Sequence, residues 1–344
     1  MYSLKKDGVI LEKSTFEFEN EGVCNPAVIR DGEDIHVLYR AVRKGNHSTI
    51  GYCKLNDPLS VVSRNTEPLL VPEAPYESHG IEDPRIVKIE DLFYLTYTAY
   101  DGRNALGALA TSKDLQRWCR CGIVVPKITY KEFERVTSWK GSLNEKYLRY
   151  NEYQKSHKKL DKNEFIWSKN LVLFPKKING KFCFLQRIKP DIQIVVLADE
   201  LTNITLDFWR NFFLNFDKYI VLRPKYQHEV SYIGSGCPPI ETPQGWLIIY
   251  HGVHDTIKGY VYSACAALLD LENPQKEIAR LPYPLFFPEE EWELKGEVNN
   301  VCFPSGAIVT DGVLYIYYGA ADTRIAVASV NLQDLIAELL KYKL

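Results

Sequence analysis

The sequence predicts an all-β fold, a five-bladed β-propeller with a helical insertion between the second and third blades, and two observations carry that prediction. The first is an internal repeat. Residues 30–39, 88–97, 177–186, 241–250 and 309–318 share one design, a polar turn that usually carries Gly or Asp and then a run of β-branched and aromatic residues. A turn of that kind ahead of such a run is a hairpin signal. The second observation is what flanks each hairpin. A short segment with a proline precedes it, at Asn25-Pro26, Asp83-Pro84, Phe174-Pro175, Pro238-Pro239 and Phe303-Pro304. An apolar segment with small residues follows, as at 107–112 and 324–329. Three or four antiparallel strands repeated five times pack radially as a propeller. Residues 1–344 then form one domain.

Taken in order, each unit is longer than the ~40–50 residues of common propeller repeats, so the connecting loops must be long. Residues 127–168 break the pattern, being charged, Tyr-rich and without strand alternation. Within them 132–135 and 143–150 read as exposed helix, and the segment reads equally as a surface excursion or as a lid or oligomer contact. Residues 332–340 read as an amphipathic helix that packs on the domain. Tyr39, Tyr97, Tyr250 and Tyr318, at the hairpin ends, read as blade core rather than as sugar platforms.

Composition narrows the function classes. The chain has 344 residues, 42 basic and 44 acidic, for a formal net charge of -2. Balanced charge argues against a nucleic-acid footprint, which needs a clustered basic excess. No apolar run approaches the roughly 18 residues of a membrane helix, and no secretory leader is visible, so a cytoplasmic location is expected. The eight cysteines show neither a disulfide framework nor a zinc spacing, and no metal is expected. Nucleotide-binding, zinc-protease and serine-hydrolase motifs are absent.

The repeat shows where chemistry would gather. In a propeller the innermost strands line a central channel, so residues beside the prolines converge although they are far apart in sequence. These are Asn25, Asp83, Lys169 with Asn170, Ser235-Gly236 and Ser305-Gly306, and the hairpin ends add Arg40, Arg187, His251 and Asp322. Carboxylates, amides and cations in one ring suit a sugar site with an anion beside it. Glu82-Asp83-Pro84-Arg85 is the sharpest local feature. Adjacent strand residues point to opposite faces, so one acid is expected to face the channel. Taken alone, the tetrapeptide fits a turn with a surface Asp–Arg pair better than a site, and His251 alone fits a structural histidine.

With those residues in hand, the sequence resembles glycoside hydrolase family 130, the β-mannoside phosphorylases and related β-mannosidases. The matching stretches are 80–85, 97–99, Lys169-Asn170 with 173–175, 234–239, 245–247 with 250–252, and 318–323. The resemblance implies a five-bladed propeller and inverting phosphorolysis of β-1,4- or β-1,2-linked manno-oligosaccharides to α-mannose 1-phosphate. No cofactor is implied, and inorganic phosphate is the co-substrate. Asp83 matches the proton donor, whose proton passes through the sugar's own 3-hydroxyl. Asn25, Arg40 and Asp322 match residues that hold the mannosyl unit, with Glu82 and His251 beside them. Lys169, Arg187 and Arg103 match the phosphate side. One departure is Gln186 before Arg187, where phosphorylases commonly carry His; a neutral amide adds no positive charge. An inverting β-mannosidase on the same scaffold is therefore the alternative, with Glu229, Glu241 or Glu200 as the base, and a non-catalytic sugar-binding propeller is a third. The expected partners are manno-oligosaccharide and phosphate, with no nucleic acid and no membrane, and a homo-oligomer is compatible with the long insertion.

Overall fold

The computed structural model describes residues 2–137, 146–147, 164–197 and 200–344. Its strands fall into five antiparallel units, each built from one of the repeats. The first is Gly22–Asp31, Asp34–Arg43, His47–Asp57 and Ser60–Arg64; the second is Gly80–Ile89, Leu92–Tyr100, Ala105–Ser112 and Cys119–Ile123. These two share a sheet only through one parallel bridge, Ser48 to Gly80. The third unit is Lys169–Leu173, Phe182–Ile188, Asp191–Leu197 and Ile220–Leu222. In the fourth, Tyr232–Ser235 and the short Ile240–Thr242 pair with Gly245–Thr256, followed by Gly259–Leu269 and Glu277–Arg280. The fifth is Cys302–Thr310, Val313–Ala320 and Arg324–Asn331, completed by the N-terminal strand Leu4–Leu11. Nothing in the pattern of residues 4–11 announces that pairing. It ties one chain end to the other, and the loop it closes spans nearly the whole chain.

A buried carboxylate anchors four of the five units in the same way. Glu19, Glu77, Glu229 and Glu293 are fully buried in short helical turns just before the first strands. Each accepts a hydrogen bond from the hairpin-end tyrosine of its own unit, Tyr39 at 2.8 Å, Tyr97 at 2.5 Å, Tyr250, and Tyr318 at 2.7 Å. Each also pairs with a cation of the outermost strand: Arg64 at 2.8 Å, Arg120 at 3.3 Å, Arg280 at 3.3 Å and Lys6 at 2.7 Å. A buried charge costs several kcal/mol unless it is paired and hydrogen-bonded, and here both conditions are met. The four tyrosines are therefore core, as their sequence suggests. The third unit has Gln186 at the tyrosine position, bonded instead to Ser168 Oγ at 3.0 Å.

The insertion leaves and returns at one point, where Ile166 N donates to Ile128 O at 2.8 Å. The expected helix at 132–135 is found as Tyr130–Thr137. It is not wholly exposed, because Phe133 is buried against Phe213 and Phe216. Phe213 belongs to a helix, Leu206–Leu214, that the strand repeat did not foretell. Apart from Lys146 and Tyr147, the expected helix at 143–150 lies outside the described residues, as does most of the proposed lid. The C-terminal helix Leu332–Leu339 buries Leu335, Ile336 and Leu339, as its periodicity implies. All eight cysteines are free, six of them buried. No described helix is long and apolar enough to cross a membrane.

Candidate active site

Backbone bulges build the site. The first strands of the first three units each lose register at the same place, between Cys24 and Ala27, Glu82 and Arg85, and Lys169 and Val172. Within those bulges Asn25, Asp83 and Asn170 have φ of 51°, 52° and 52°. Asn and Asp tolerate that left-handed region better than other side chains, and a bulge re-aims a side chain relative to the strand. This overturns the expectation that the two adjacent acids point to opposite faces. Alternation breaks at the bulge, so Arg40 reaches both, its Nη2 2.9 Å from Glu82 Oε1 and its Nη1 3.8 Å from Asp83 Oδ1.

Around this pair the sequence-predicted residues come together. Asn25 Nδ2 donates to Asp83 Oδ1 at 2.7 Å. Asn25 fits because Gly319 faces it; a Cβ at Gly319 would collide with Asn25 Oδ1. Lys169 Nζ lies 3.2 Å from Glu82 Oε2. Arg85 is not a surface partner of Asp83. It is buried, with Nη1 donating to the main-chain oxygens of Asp83 at 3.1 Å and Pro84 at 2.9 Å and Nε donating to Gly236 O.

Two carboxyls in this cluster are pushed in opposite directions. Burial pushes the Asp83 carboxyl up, but Lys169, Arg40 and Arg85 and the Asn25 hydrogen bond outweigh it and hold it below the usual range. The sequence argument required Asp83 to hold a proton near neutral pH; without sugar it is a carboxylate, because the cations that position it also stabilise its charge. Asp322 is raised to about 6, by burial first and then by the charges of Asp83 and Glu82, with Arg40 opposing.

The other side is cationic. Arg187 is 8% exposed and its Nη1 lies 3.4 Å from His251 Nε2. Burial, Arg187, Arg85 and Lys189 push His251 well below its usual range, so its ring is neutral. Its ring meets Phe303 at 4.5 Å, and Gly234 leaves room for both His251 and Asn170. Lys189, which sequence reasoning missed, shares the Tyr232 ring with Arg187, its Nζ 3.8 Å and the Arg187 Cζ 5.4 Å from the centroid. Burial, Arg187 and Lys169 push Lys189 well below its usual range. A basic residue two positions beyond Arg187 on the hairpin was the available signal. Buried polar atoms are normally partnered, yet Asn170 Oδ1, Gln186 Nε2, Arg187 Nε, Ser235 Oγ and His251 Nδ1 have no hydrogen-bond partner among the described residues.

Other predicted residues have partners outside this cluster. Arg103 Nε is 2.8 Å from Glu164 on the exposed rim. Ser305 Oγ donates to Pro26 O at 2.8 Å and serves the scaffold. The three carboxylates considered as hydrolytic bases are placed elsewhere: Glu229 anchors the fourth unit, Glu241 pairs with Lys176 at 2.5 Å, and Glu200 lines a separate surface pocket near Lys181. Among the described residues His228, Glu229 and Cys265 are close enough to bracket a metal. Glu229 is already engaged by Tyr250 and Arg280.

Comparison with known proteins identifies the family and the fold. The family model described as beta-1,4-mannooligosaccharide phosphorylase, of glycoside hydrolase family 130, matches residues 10–163 and 137–341. The chain is 35% identical over 338 residues to a 1,2-beta-oligomannan phosphorylase of Thermoanaerobacter sp. strain X514, covering 95% of this chain and 96% of that protein. It is also 35% identical over 332 residues to a beta-1,2-mannobiose phosphorylase of the same organism, covering 92% of each. The fold matches that of a beta-1,2-mannobiose phosphorylase from Listeria innocua, in complex with beta-1,2-mannobiose, with a TM-score of 0.70 at 22% identity over 93% of this chain and 92% of that one.

Proposed function

The chain belongs to glycoside hydrolase family 130, and from that premise we propose that it cleaves β-mannosides by inverting phosphorolysis, releasing α-mannose 1-phosphate. The proposed substrates are β-1,2-linked manno-oligosaccharides, because the two relatives at 35% identity carry that linkage in their names. The five antiparallel units are proposed to close as a five-bladed propeller, the whole of 1–344 forming one catalytic domain with inorganic phosphate as co-substrate and no cofactor.

The observation that carries the reading is Arg187. It is a buried cation beside a neutral histidine, its Nε has no hydrogen-bond partner among the described residues, and its charge and that of Lys169 are both felt at Lys189. Gathered cations in a low-dielectric site favour an anion. Lys189 lies beside Arg187 on the Tyr232 ring, and an anion bound there would favour its charged form, which burial and the neighbouring cations otherwise oppose. Arg103 retains a phosphate role from the resemblance alone.

In the reaction, a phosphate oxygen held by Arg187 and Lys169 attacks the anomeric carbon as the glycosidic C–O bond breaks on the opposite face. The leaving oxygen takes a proton that originates on Asp83 and passes through the sugar's 3-hydroxyl, and Asp83 ends as the carboxylate. Asn25, Arg40 and Asp322 hold the mannosyl unit, with Glu82 orienting Arg40 and Lys169. Phosphate binding beside Lys169 screens the cations that keep Asp83 ionised, so it raises the Asp83 pKa when a proton is needed. Incubation of β-1,2-manno-oligosaccharides with and without phosphate tests the reading. Mannose 1-phosphate formed only with phosphate supports it; free mannose at a phosphate-independent rate assigns the enzyme to the β-mannosidases.

A further inference from the structure

The third unit departs from the anchor that the other four share, and the departure leads to the anion side of the site. Gln186 stands at its tyrosine position. Asp191, Tyr147 and Arg223 bring a carboxylate, a phenol and a cation together from other places in the chain. Asp191 is buried and opens the strand Asp191–Leu197. Its Oδ2 accepts from the Tyr147 hydroxyl at 2.6 Å, and Nη1 of Arg223, just beyond the outer strand Ile220–Leu222, lies 3.7 Å from the same oxygen. Tyr147 belongs to the insertion. It is 1% exposed, its ring 6.0 Å from that of Phe133 and 5.2 Å from that of Phe216. Burial raises the Asp191 carboxyl above its usual range, and the Tyr147 hydrogen bond and the Arg223 charge oppose that rise. The hydroxyl therefore stabilises the charged form of a buried group.

In the four other units the carboxylate precedes the first strand. Here it sits at a hairpin turn, two residues from Lys189. Gln193 completes the fastening. Its Oε1 accepts from Ile188 N at 2.7 Å, and its Nε2 donates to Ile188 O and Asp191 O, each at 2.9 Å, and to the Tyr147 hydroxyl at 3.4 Å. Pro190 O accepts from Ile233 N at 3.0 Å. These bonds grip both residues that flank Lys189-Pro190. Arg187 comes immediately before the turn, and Ile233 follows Tyr232, the ring on which Arg187 and Lys189 both rest. A hydrogen-bonded path thus joins the insertion to the turn that carries the two basic side chains. Groups that bind must themselves be held in place, since a misplacement of about 1 Å from a distant change can cost about 10²-fold. A buried hydrogen bond can also serve stability alone, and the two roles give different kinetics.

We propose that Tyr147 is a positioning residue for the anion site, through which the insertion fixes the 188–191 turn and with it Arg187 and Lys189 against Tyr232. Phosphate as the anion is taken from the phosphorolytic reading, on which this rests, so binding and turnover are measured separately. Tyr147→Phe removes the hydroxyl and keeps the ring. Tyr318→Phe is the control, because it takes the tyrosine donor from the buried Glu293 of the fifth unit. Gln193→Met releases the same turn without touching the insertion. Calorimetry with inorganic phosphate gives its Kd, initial rates give the KM for phosphate and for β-1,2-mannobiose, and thermal melts give stability. All three variants should lose Tm. Tyr147→Phe and Gln193→Met should weaken phosphate binding by roughly tenfold to a hundredfold, up to the cost of an ångström misplacement, with the KM for mannobiose unchanged. Tyr318→Phe should keep the wild-type affinity for phosphate. Wild-type phosphate affinity in Tyr147→Phe, an equal loss in Tyr318→Phe, or a parallel rise in the KM for mannobiose overturns the inference. Phosphate binding that weakens in Tyr147→Phe alongside a wild type that forms no mannose 1-phosphate overturns phosphorolysis and leaves the positioning role standing. A wild type that neither binds phosphate nor depends on it for turnover overturns both.

Discussion

Replacing Asp83 by Asn should abolish phosphorolysis while leaving the fold nearly intact, and the surroundings of Asp83 set both magnitudes. A general acid contributes about 10²–10⁴-fold, or roughly 3–5 kcal/mol of barrier at 1.36 kcal/mol per decade. The structural loss is smaller. Asn keeps an oxygen to accept from Asn25, and the two cations that Asp83 shares remain neutralised by Glu82, at 2.9 Å from Arg40 and 3.2 Å from Lys169. Breaking a buried pair outright costs ~3–5 kcal/mol; here the loss should be nearer the ~1–2 kcal/mol of one weakened charged hydrogen bond. The pH dependence has a definite sign. Asp83 titrates lower in the folded chain than its usual 3.8, so its stabilising charge is present above that value and disappears as pH falls through the folded pKa. The Tm gap between wild type and variant should therefore be full at neutral pH and close under acid conditions. Turnover is measured as mannose 1-phosphate from a natural oligosaccharide and from an aryl β-mannoside with a good leaving group. The aryl substrate should be less impaired, because its leaving oxygen needs less proton assistance. Near-normal turnover of the oligosaccharide, or an equal loss on both substrates, refutes the assignment of Asp83 as the acid.

Arg187→Ala should raise the KM for phosphate about tenfold to a hundredfold, the equivalent of one charged hydrogen bond, with little change in the KM for the mannoside; initial-rate kinetics in both substrates checks this. Asp322 is raised from 3.8 to about 6 in the folded chain, so the folded state loses stability as pH rises through that window; Asp322→Asn should gain in Tm over the wild type above pH 6 and not below 4. Tyr97→Phe should lower stability by about 1–3 kcal/mol by leaving a buried carboxylate short of a donor, and thermal melts should show a comparable loss for Tyr39→Phe and Tyr318→Phe.

The local pattern along the chain determined the five strand units, because turn chemistry and the alternation of apolar side chains are properties of neighbouring residues. It also nominated most of the site, since the residues beside the repeated prolines occupy equivalent places in equivalent strands; Asn25, Asp83 and Lys169 gather around Arg40 and Glu82 for that reason. Tertiary structure decided what depends on backbone conformation and on distant partners. Strand alternation cannot foresee a bulge, so the simultaneous inward turn of Glu82 and Asp83 emerged only with φ of 52° at Asp83. The pairing of Leu4–Leu11 with the last strand, the buried glutamates beneath four hairpin-end tyrosines, and the helix Leu206–Leu214 that covers Phe133 all join segments with no shared local signal. Protonation follows the same division. A carboxyl beside a proline is visible in the sequence, but whether it is held ionised or neutral is the sum of burial and of charges contributed by Lys169, Arg40 and Arg85. Only the folded chain brings those groups within a few ångströms of one another.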